Sequence, residues 1–236
     1  MPTSEAPATL VITGASRGIG LETARLFAEH GYRIVNISRS PIPIEGAVDI
    51  TADLASPDWA ERIKEELDAA LDGSGEISLI HNSAIQLPGA IDQVDADDFR
   101  KTLELAVVAP SILNRLVLPH QSAGSSIIYV GSTLSQRASK GLAAYVASKH
   151  AVVGLMRSTA QDLGGSGIHT ACVCPGFTNT EMLREYGGEA TEYLKSLVHE
   201  KRLIDPVEIA RVLLFAARNP VVNGSILQAE LCFLQP

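Results

Sequence analysis

Short apolar runs alternate along the chain with longer segments in which apolar residues recur at helical spacing. In one such segment, Trp59, Ile63 and Leu67 follow one another at intervals of four. The pattern predicts strands at 10–13, 33–38, 77–81, 126–130, 169–173 and 225–231, with a short one before 53–54, and helices at 21–30, 59–71, 97–118, 143–163 and 207–217. Regular alternation of strand and helix predicts βαβ units, and therefore a doubly wound parallel sheet with helices on both faces.

Composition and charge narrow the class of protein. The chain has 236 residues, 46% of them hydrophobic, which fits one domain with a large core spanning 1–236. Its 27 acidic and 19 basic residues give a net charge of −8, which argues against nucleic acid or an anionic membrane as a partner. Residues 1–5 lack a basic signal-peptide start, and no apolar run reaches about 18 residues, so the sequence predicts a cytoplasmic protein.

Three cysteines are present, and two of them, Cys172 and Cys174, fall two apart in an apolar stretch. On a strand both would point the same way, in a geometry poorly suited to pairing. Cys-x-Cys is not a zinc spacing, and no histidine pair accompanies it. We therefore expect reduced, buried thiols and no metal site.

The alternating pattern weakens at 177–201, where charges and glycines are scattered after Pro175 and Gly176. A long segment of weak pattern inside a compact fold is more often functional than a plain connector, although a connector is the alternative. The sequence therefore predicts that the 177–201 segment is a substrate lid.

Residues 13–20, Thr-Gly-Ala-Ser-Arg-Gly-Ile-Gly, follow the first predicted strand and open the first helix. We call them the glycine loop. Gly14, Gly18 and Gly20 would permit a tight turn and a close approach of the backbone to a pyrophosphate, which the helix N-terminus would attract. The spacing is one residue longer than Gly-x-Gly-x-x-Gly, so a purely structural turn remains the alternative for this motif taken alone.

In dinucleotide-binding folds, the end of the second strand usually carries the residue that distinguishes NAD from NADP. Here residues 36–40 contain no acid, and Arg39 could form two hydrogen bonds with a 2′-phosphate. Arg17 in the glycine loop is expected near the same place, so NADP is predicted. The alternative is that Arg39 only ends a solvated strand. Asp53, followed by Leu54, is suited to an adenine amino group or, alternatively, to the start of a helix.

Ser132, Tyr145 and Lys149 form the candidate catalytic set. A phenol has a pKa near 10, so it needs a neighbouring positive charge to exchange protons near neutrality. Lys149 lies four residues after Tyr145 on a predicted helix, and therefore on the same face. Ser132 follows a strand, where its hydroxyl could steady a carbonyl oxygen. A surface Tyr/Lys pair is the alternative.

Together these motifs resemble the short-chain dehydrogenase/reductase family over essentially the whole chain. The resemblance implies a seven-stranded Rossmann-type sheet, catalysis by Ser132, Tyr145 and Lys149, and assembly as a tetramer or dimer through helices 97–118 and 143–163. The proline-glycine pair and the later threonine would bind the nicotinamide end. The predicted cofactor-binding residues are Gly14, Ser16, Arg17, Gly18, Ile19, Gly20, Ser38, Arg39, Asp53, Leu54, Asn82, Tyr145, Lys149, Pro175, Gly176, Thr178 and Thr180.

The chain departs from the family pattern at three places. The usual Asn-Asn-Ala-Gly reads His-Asn-Ser-Ala at 81–84, which keeps Asn82 and introduces His81, expected to be a hydrogen-bonded structural residue. Ala106 stands where the family has an asparagine that positions a water, so a weakened proton relay is expected. Cys232 stands where glycine is usual, which leaves the local backbone and the subunit contacts of the C-terminal tail open.

The resemblance implies an NADPH-dependent carbonyl reductase, reversible as a secondary-alcohol dehydrogenase of the EC 1.1.1 type. A small or medium, mostly apolar ketone or aldehyde is the expected substrate. Its pocket is predicted to include Leu134, Gln136, Gln86, Leu142, Phe177 and Met182. Two alternatives remain open, an NADP-binding sensor or scaffold with little catalysis and an NAD-linked alcohol dehydrogenase.

Overall fold

Seven parallel strands form one sheet in the order β3-β2-β1-β4-β5-β6-β7. The computed structural model describes residues 6–185 and 187–233; Tyr186, in the predicted lid, lies outside the described residues. The strands are β1 Thr9–Thr13, β2 Arg33–Ser38, β3 Val48–Thr51, β4 Ile77–His81, β5 Ser126–Val130, β6 His169–Pro175 and β7 Ser225–Ala229. The strand order reverses between β1 and β4, and ligands of such sheets bind at the carboxyl ends of the strands beside that point.

Helices cover both faces of the sheet. They are α1 Gly18–Glu29, α2 Trp59–Leu71, α3 Ala96–Leu103, α4 Ala109–Val117, α5 Ala143–Asp162, α6 Glu181–Arg184, α7 Gly188–Ser196 and α8 Pro206–Arg218. On one face, Trp59, Leu113 and Met156 bring α2, α4 and α5 into one buried cluster. On the other, Phe27 and Leu213 join α1 and α8. The predicted single-domain, doubly wound α/β fold is confirmed.

The predicted helix 97–118 is interrupted. A π-helical turn, Glu104–Val108, separates α3 from α4, and the Ala109 N–H bonds to the Glu104 carbonyl. A π-helical turn contains about one residue more than an α-helical turn, and this changes the spacing of apolar residues very little. The sequence pattern therefore could not locate the interruption at Glu104–Val108. By length and composition alone, Ala96–His120 could cross a membrane, but Leu113 and Val117 of this stretch are buried in the core.

The 177–201 segment folds into the short helices α6 and α7, and neither has a buried residue among those described. Val198 is buried and pairs with Phe233, and Thr178 pairs with Ile204. These contacts attach the segment near its two ends. The middle lies on the surface, an arrangement compatible with the predicted lid.

The C-terminal strand ends at Ala229, two residues earlier than the pattern predicts. Leu231 and Cys232 then adopt left-handed φ values of 50° and 51°. Such values are unfavourable for a side chain with a Cβ, which is the reason glycine is preferred there. The tail therefore holds a strained turn at the position where the sequence left the backbone open.

Cys172 and Cys174 lie side by side on β6, both fully buried, with their sulfur atoms 3.8 Å apart. Cys232 is exposed, and all three are free thiols. The prediction of unpaired cysteines is confirmed, since alternate residues of a strand face the same side of the sheet.

Candidate active site

The glycine loop makes a turn that only glycine allows at two positions. Gly14 and Gly18 have φ values of +68° and +57°. At Gly20 the restriction is space, because an added Cβ would lie 2.5 Å from the Gly14 carbonyl oxygen and 2.6 Å from Asn82 Nδ2. The loop therefore makes the tight turn that the glycines predict, and it is closely packed from beneath.

Side chains from neighbouring strands hold this loop. The Asn82 amide donates to the carbonyl oxygens of Thr13 and Gly14, each at 3.0 Å. The Asn36 Oδ1 accepts a bond from the Ala15 N–H at 3.2 Å. Asn82 thus supports the glycine loop, and its predicted contact with a cofactor would pass through that loop. Asn36 was missed because an amide inside an apolar strand gives no motif.

The start of α1 is open to an anion. Arg17 occupies the N-cap and makes no side-chain capping bond, and the first turn carries no acidic residue. By contrast, α3 and α8 are capped by the carboxylates of Asp95 and Asp205. The N–H groups in the first turn of α1 therefore remain available, together with the positive end of the helix dipole. Ile19 lies in this turn and Ser16 just before the N-cap, and both are half-buried.

Arg17 and Arg39 are both exposed. Among the described residues, neither guanidinium has a carboxylate within ion-pair distance. Arg39 directly follows β2, while Ser38 is buried with its hydroxyl donating to the Ser40 carbonyl at 2.5 Å. The carboxylate of Asp49 is engaged by the Asn36 amide at 2.7 Å. This end of β2 therefore presents unneutralised positive charge to a ligand.

Asp53 and Leu54 follow β3. Asp53 is exposed, and its Oδ1 accepts a bond from the Ala55 N–H at 3.1 Å in a turn that leads toward α2. Leu54 is buried. The carboxylate is thus partly used by the turn, and its predicted contact with an adenine stays a prediction.

The catalytic set comes together where β5 ends and α5 begins. Lys149 is only 3% exposed, and its Nζ donates to the Val130 carbonyl at 2.8 Å. The same Nζ lies 5.6 Å from the centre of the Tyr145 ring. Val130 is the last residue of β5, and Ser132 lies two residues after it. The hydrogen bond from Lys149 therefore holds α5 against the chain that carries Ser132. The predicted shared face of Tyr145 and Lys149 is confirmed.

Ser132 caps the short turn that follows it. Its Oγ accepts a bond from the Leu134 N–H at 3.1 Å, and its own N–H donates to Ser135 Oγ at 3.1 Å. Because the Ser132 oxygen accepts from the backbone, its hydroxyl hydrogen is free to donate outward. A half-buried serine and tyrosine beside a buried ammonium can stabilise negative charge developing on an oxygen atom.

The chain after β6 returns toward the glycine loop. The Gly176 N–H donates to the Ala229 carbonyl at 2.9 Å, and Thr178 is buried with its hydroxyl on the Gly176 carbonyl at 3.0 Å. Thr180 follows, and its Cγ2 lies 3.2 Å from where a Cβ on Gly18 would be. Pro175 to Thr180 and the glycine loop, both predicted to bind cofactor, therefore lie side by side.

The residues predicted to line the substrate pocket lie in different surroundings, and the pocket itself stays a prediction. Gln136 is exposed and its Oε1 accepts a bond from Gln228 Nε2 at 2.6 Å, so this amide is engaged by the end of β7. Phe177 packs edge-on against Phe233 with ring centres 5.3 Å apart. Arg137 stacks over the same Phe233 ring at 4.9 Å. The remaining predicted pocket residues, Leu134, Gln86, Leu142 and Met182, are half-buried.

A buried polar network beside Lys149 was only partly foreseen. His81 bonds through Nε2 to Asn114 Oδ1 at 2.7 Å, and the Asn114 amide donates to the Tyr129 hydroxyl at 2.7 Å. Burial lowers the pKa of His81 to about 4. The predicted hydrogen bonding of His81 is confirmed. Asn114 and Tyr129 were missed, although an asparagine on the apolar face of a helix was an available signal.

The short chain dehydrogenase family model matches residues 8–190. The chain belongs to this family. A human 3-oxoacyl-[acyl-carrier-protein] reductase is 28% identical over 93% of this chain and 94% of its own length. The meso-2,3-butanediol dehydrogenase of Serratia marcescens is 27% identical over 92% and 90%. A short chain dehydrogenase from Burkholderia cenocepacia, crystallised in complex with NADP, superposes with a TM-score of 0.84 at 25% identity, covering 97% and 98%.

Proposed function

We propose that this short-chain dehydrogenase is an NADPH-dependent carbonyl reductase, reversible as a secondary-alcohol dehydrogenase. The observation that carries the proposal is the buried Lys149 ammonium, 5.6 Å from the Tyr145 ring and bonded to the strand that leads to Ser132. A buried charge is costly unless it is used, and among the described residues Lys149 has no carboxylate partner.

Each catalytic residue has a separate task. The bound nicotinamide would supply a hydride to the carbonyl carbon. Ser132 donates a hydrogen bond to the carbonyl oxygen, and Tyr145 delivers a proton to that oxygen. Lys149 stabilises the negative charge that the departing proton leaves on the tyrosine oxygen. In the oxidising direction the same groups act in reverse.

The residues present fit a dinucleotide with a 2′-phosphate. The uncapped start of α1 offers N–H groups to the pyrophosphate. Arg39 and Arg17 supply exposed positive charge, and among the described residues neither forms an ion pair with a carboxylate. The Burkholderia relative in complex with NADP is consistent with this preference. An NAD-linked enzyme would be expected to place a carboxylate at the end of β2, where this chain has Arg39.

The cofactor preference is tested by Arg39→Asp, with Arg211→Asp on the exposed face of α8 as a charge-matched control. We expect the Kd for NADPH to rise by about 10-fold or more on loss of a charge-assisted pair, while the Kd for NADH changes little. Unchanged NADPH affinity in Arg39→Asp would show that the 2′-phosphate assignment is wrong.

The proposed substrates are small or medium, mostly uncharged ketones and aldehydes. The half-buried leucines, phenylalanine and methionine of the predicted pocket favour apolar groups. The relatives include one named for a 3-oxoacyl carrier-protein substrate and one named for a diol. A cytoplasmic homo-oligomer, tetramer or dimer, is part of the same proposal, and sedimentation of the purified chain would measure its size.

The deciding experiment measures NADPH and NADH oxidation against aryl, aliphatic and cyclic ketones, beside acyl thioesters and sugars. Tyr145→Phe should lower kcat by about 100-fold to 10,000-fold, with NADPH binding retained. Turnover restricted to acyl thioesters or charged sugars would overturn the ketone assignment. Tight NADPH binding without turnover on any carbonyl would instead support the sensor alternative, which Ala106 and the altered 81–84 stretch motivate.

A further inference from the structure

Two buried sulfur atoms lie directly behind the chain that carries the catalytic serine. The Gly131 N–H extends the β5–β6 ladder by donating to the Val173 carbonyl at 2.7 Å. Cys174 is therefore the neighbour of Gly131 across the ladder, and Gly131 directly precedes Ser132. Both Cys172 and Cys174 are fully buried on this strand.

Gly131 has no side chain, and its neighbours occupy the space that a side chain would need. A Cβ added there would lie 2.8 Å from each of three atoms, the sulfurs of Cys172 and Cys174 and the hydroxyl oxygen of Ser135. This distance is shorter than the roughly 3.5 Å at which non-bonded carbon atoms pack. The two sulfurs and the oxygen therefore share one small space against the backbone of Gly131.

Ser135 connects that space to the catalytic serine. Its Oγ accepts a bond from the Ser132 N–H at 3.1 Å, while the Ser132 Oγ accepts one from the Leu134 N–H at 3.1 Å. The two serines thus close the turn between them. Ser135 is only 3% exposed, and because its oxygen accepts from the backbone, its hydroxyl hydrogen is left to be given to a buried acceptor.

The sulfur of Cys174 is suited to accept that hydrogen. The Cys172 sulfur lies 3.8 Å away, and the hydrogen bond from Cys172 lowers the pKa of Cys174, with the Ser132 N–H and the Ser135 hydroxyl acting in the same direction against desolvation. The pKa of Cys172 is raised, chiefly by its bond to Cys174, so Cys172 is the donor of the pair. Hydrogen bonds from several donors favour the charged form of a thiol and make its sulfur a better acceptor.

We propose that Cys174 is a positioning residue for the proposed reaction: its sulfur accepts the Ser135 hydroxyl hydrogen, and Ser135 in turn fixes the backbone of Ser132 so that the serine hydroxyl meets the substrate oxygen. The inference rests on the proposed function for its kinetic consequence. Since Cys174 exposes no surface, it acts on Ser132 through Ser135 and not by contact with the substrate.

Two other routes lead from Cys174 to activity, and the experiment has to separate them. The side chain fills space between β5 and β6, as that of Cys172 does, so a packing role would act on stability. Pro175, directly after Cys174, is predicted to bind the nicotinamide end, so a role through Pro175 would act on the Kd for NADPH. Positioning of Ser132 acts on kcat instead, because the serine stabilises charge that develops in the transition state.

The kinetic test compares Cys174→Ala with Cys172→Ala, which removes the same sulfur atom at an equally buried position of the same strand. Cys174→Ala should lower kcat by about 10-fold, the effect of a misplaced catalytic group. The KM for the carbonyl and the Kd for NADPH should change less than about twofold. Cys172→Ala should retain kcat, although both variants should lower the melting temperature. Cys174→Ser keeps an acceptor and should restore most of the lost kcat.

A double-mutant comparison uses Ser132→Ala as the background. If Cys174 acts through Ser132, Cys174→Ala should lower kcat no further once the serine hydroxyl is gone. Ser135→Ala should lower kcat as Cys174→Ala does, and the two losses should not add; this variant tests the same contact if Cys174→Ala fails to fold. Equal losses of kcat in Cys174→Ala and Cys172→Ala, or a loss that persists in the Ser132→Ala background, would show that Cys174 is only structural.

A crystal structure of Cys174→Ala separates this inference from the proposed function. Ser132 Oγ should move by about 0.5 Å or more, the tolerance of a catalytic arrangement, and it should stay in place in Cys172→Ala. An unmoved Ser132, or a rise in the Kd for NADPH as large as the fall in kcat, would overturn the inference. If the wild type turns over no carbonyl at all, the proposed function fails, while the position of Ser132 still decides this inference.

Discussion

The glycine loop and the 177–201 segment form the two sides of the candidate cofactor site, and they are held in different ways. The loop is fixed from beneath by the side chains of Asn36 and Asn82, with almost no space under Gly20. In the 177–201 segment, α6 and α7 bury no described residue, and the segment is attached mainly through Thr178 and Val198.

The comparison shows that the glycine loop is held rigidly, whereas the 177–201 segment is held loosely. A phosphate cradle that is already formed loses little entropy when a cofactor binds. A loosely attached cover can open for a substrate and close over it at small cost, which is the usual property of lids. The two sides can therefore be altered independently, and the following variants test that separation.

The largest effect is expected for Gly20→Ala. Its Cβ would meet the Gly14 carbonyl oxygen at 2.5 Å, so the loop must move. We expect a loss of about 3 kcal/mol in the free energy of unfolding, at the upper end for overpacking, together with loss of NADPH binding. Gly188→Ala in α7 is the control, because nothing lies within 4 Å of its added Cβ. Denaturant melts and NADPH titration would measure both, and equal effects would contradict the separation.

The next effect is expected from acid, which should lower the free energy of unfolding by protonating His81. The pKa of His81 is lowered from 6.5 to about 4 by burial, so its contribution to the free energy of unfolding is complete above pH 6.5 and is lost as the pH falls toward 4. The expected loss between pH 7 and pH 5 is about 2 kcal/mol. Denaturant melts at both pH values should show this loss in the wild type and not in His81→Gln.

The matched variant for the acid effect is His30→Gln, since His30 is exposed at the end of α1. It should keep the pH dependence of the wild type. A wild-type curve that is flat between pH 7 and pH 5 would mean that His81 is not the buried neutral base that the structure indicates.

A loss of stability of similar size is expected for Asn82→Ala, which removes the two bonds to the Thr13 and Gly14 carbonyls. At about 1 kcal/mol for each bond, the variant should lose about 2 kcal/mol of stability and bind NADPH more weakly. Asn179→Ala removes an exposed amide of the 177–201 segment that bonds to Arg184. It should leave NADPH affinity unchanged in the same titration.

The smallest effect is expected for Val198→Ala, which loosens the buried anchor of the 177–201 segment. We expect a stability loss of about 1 kcal/mol, typical of small core truncations. The KM for the carbonyl should rise severalfold while the Kd for NADPH stays constant. Val221→Ala, at an 87% exposed position, is the control. A change in NADPH affinity as large as that in KM would place Val198 on the cofactor side.

The glycine loop could be predicted in detail because its chemistry is local. Gly14 and Gly18 need left-handed φ values, and the catalytic Tyr145 and Lys149 need only one helical turn. The strands at 33–38, 77–81 and 126–130 were predicted to the residue, since unbroken apolar runs bury both faces of a parallel strand.

What the sequence did not reveal depends on contacts between distant residues. Asn36 supports the loop only because β2 lies beside β1. Asn114 and Tyr129 meet His81 across α4, β4 and β5. The π-helical turn adds one residue to a helical turn without disturbing the apolar pattern enough to be seen. Residues 231–232 took left-handed angles that no propensity favours for leucine or cysteine.

The uncapped start of α1 also links cofactor supply to the lifetime of the protein. A phosphate group bound there would complete the first turn of the helix, and it could do so only in the folded chain. At a free cofactor concentration 100 times its Kd, such binding adds about 2.7 kcal/mol to the free energy of unfolding. Molecules made when the dinucleotide is scarce would unfold more often and be degraded sooner, so the abundance of the protein would follow the pool of its own cofactor.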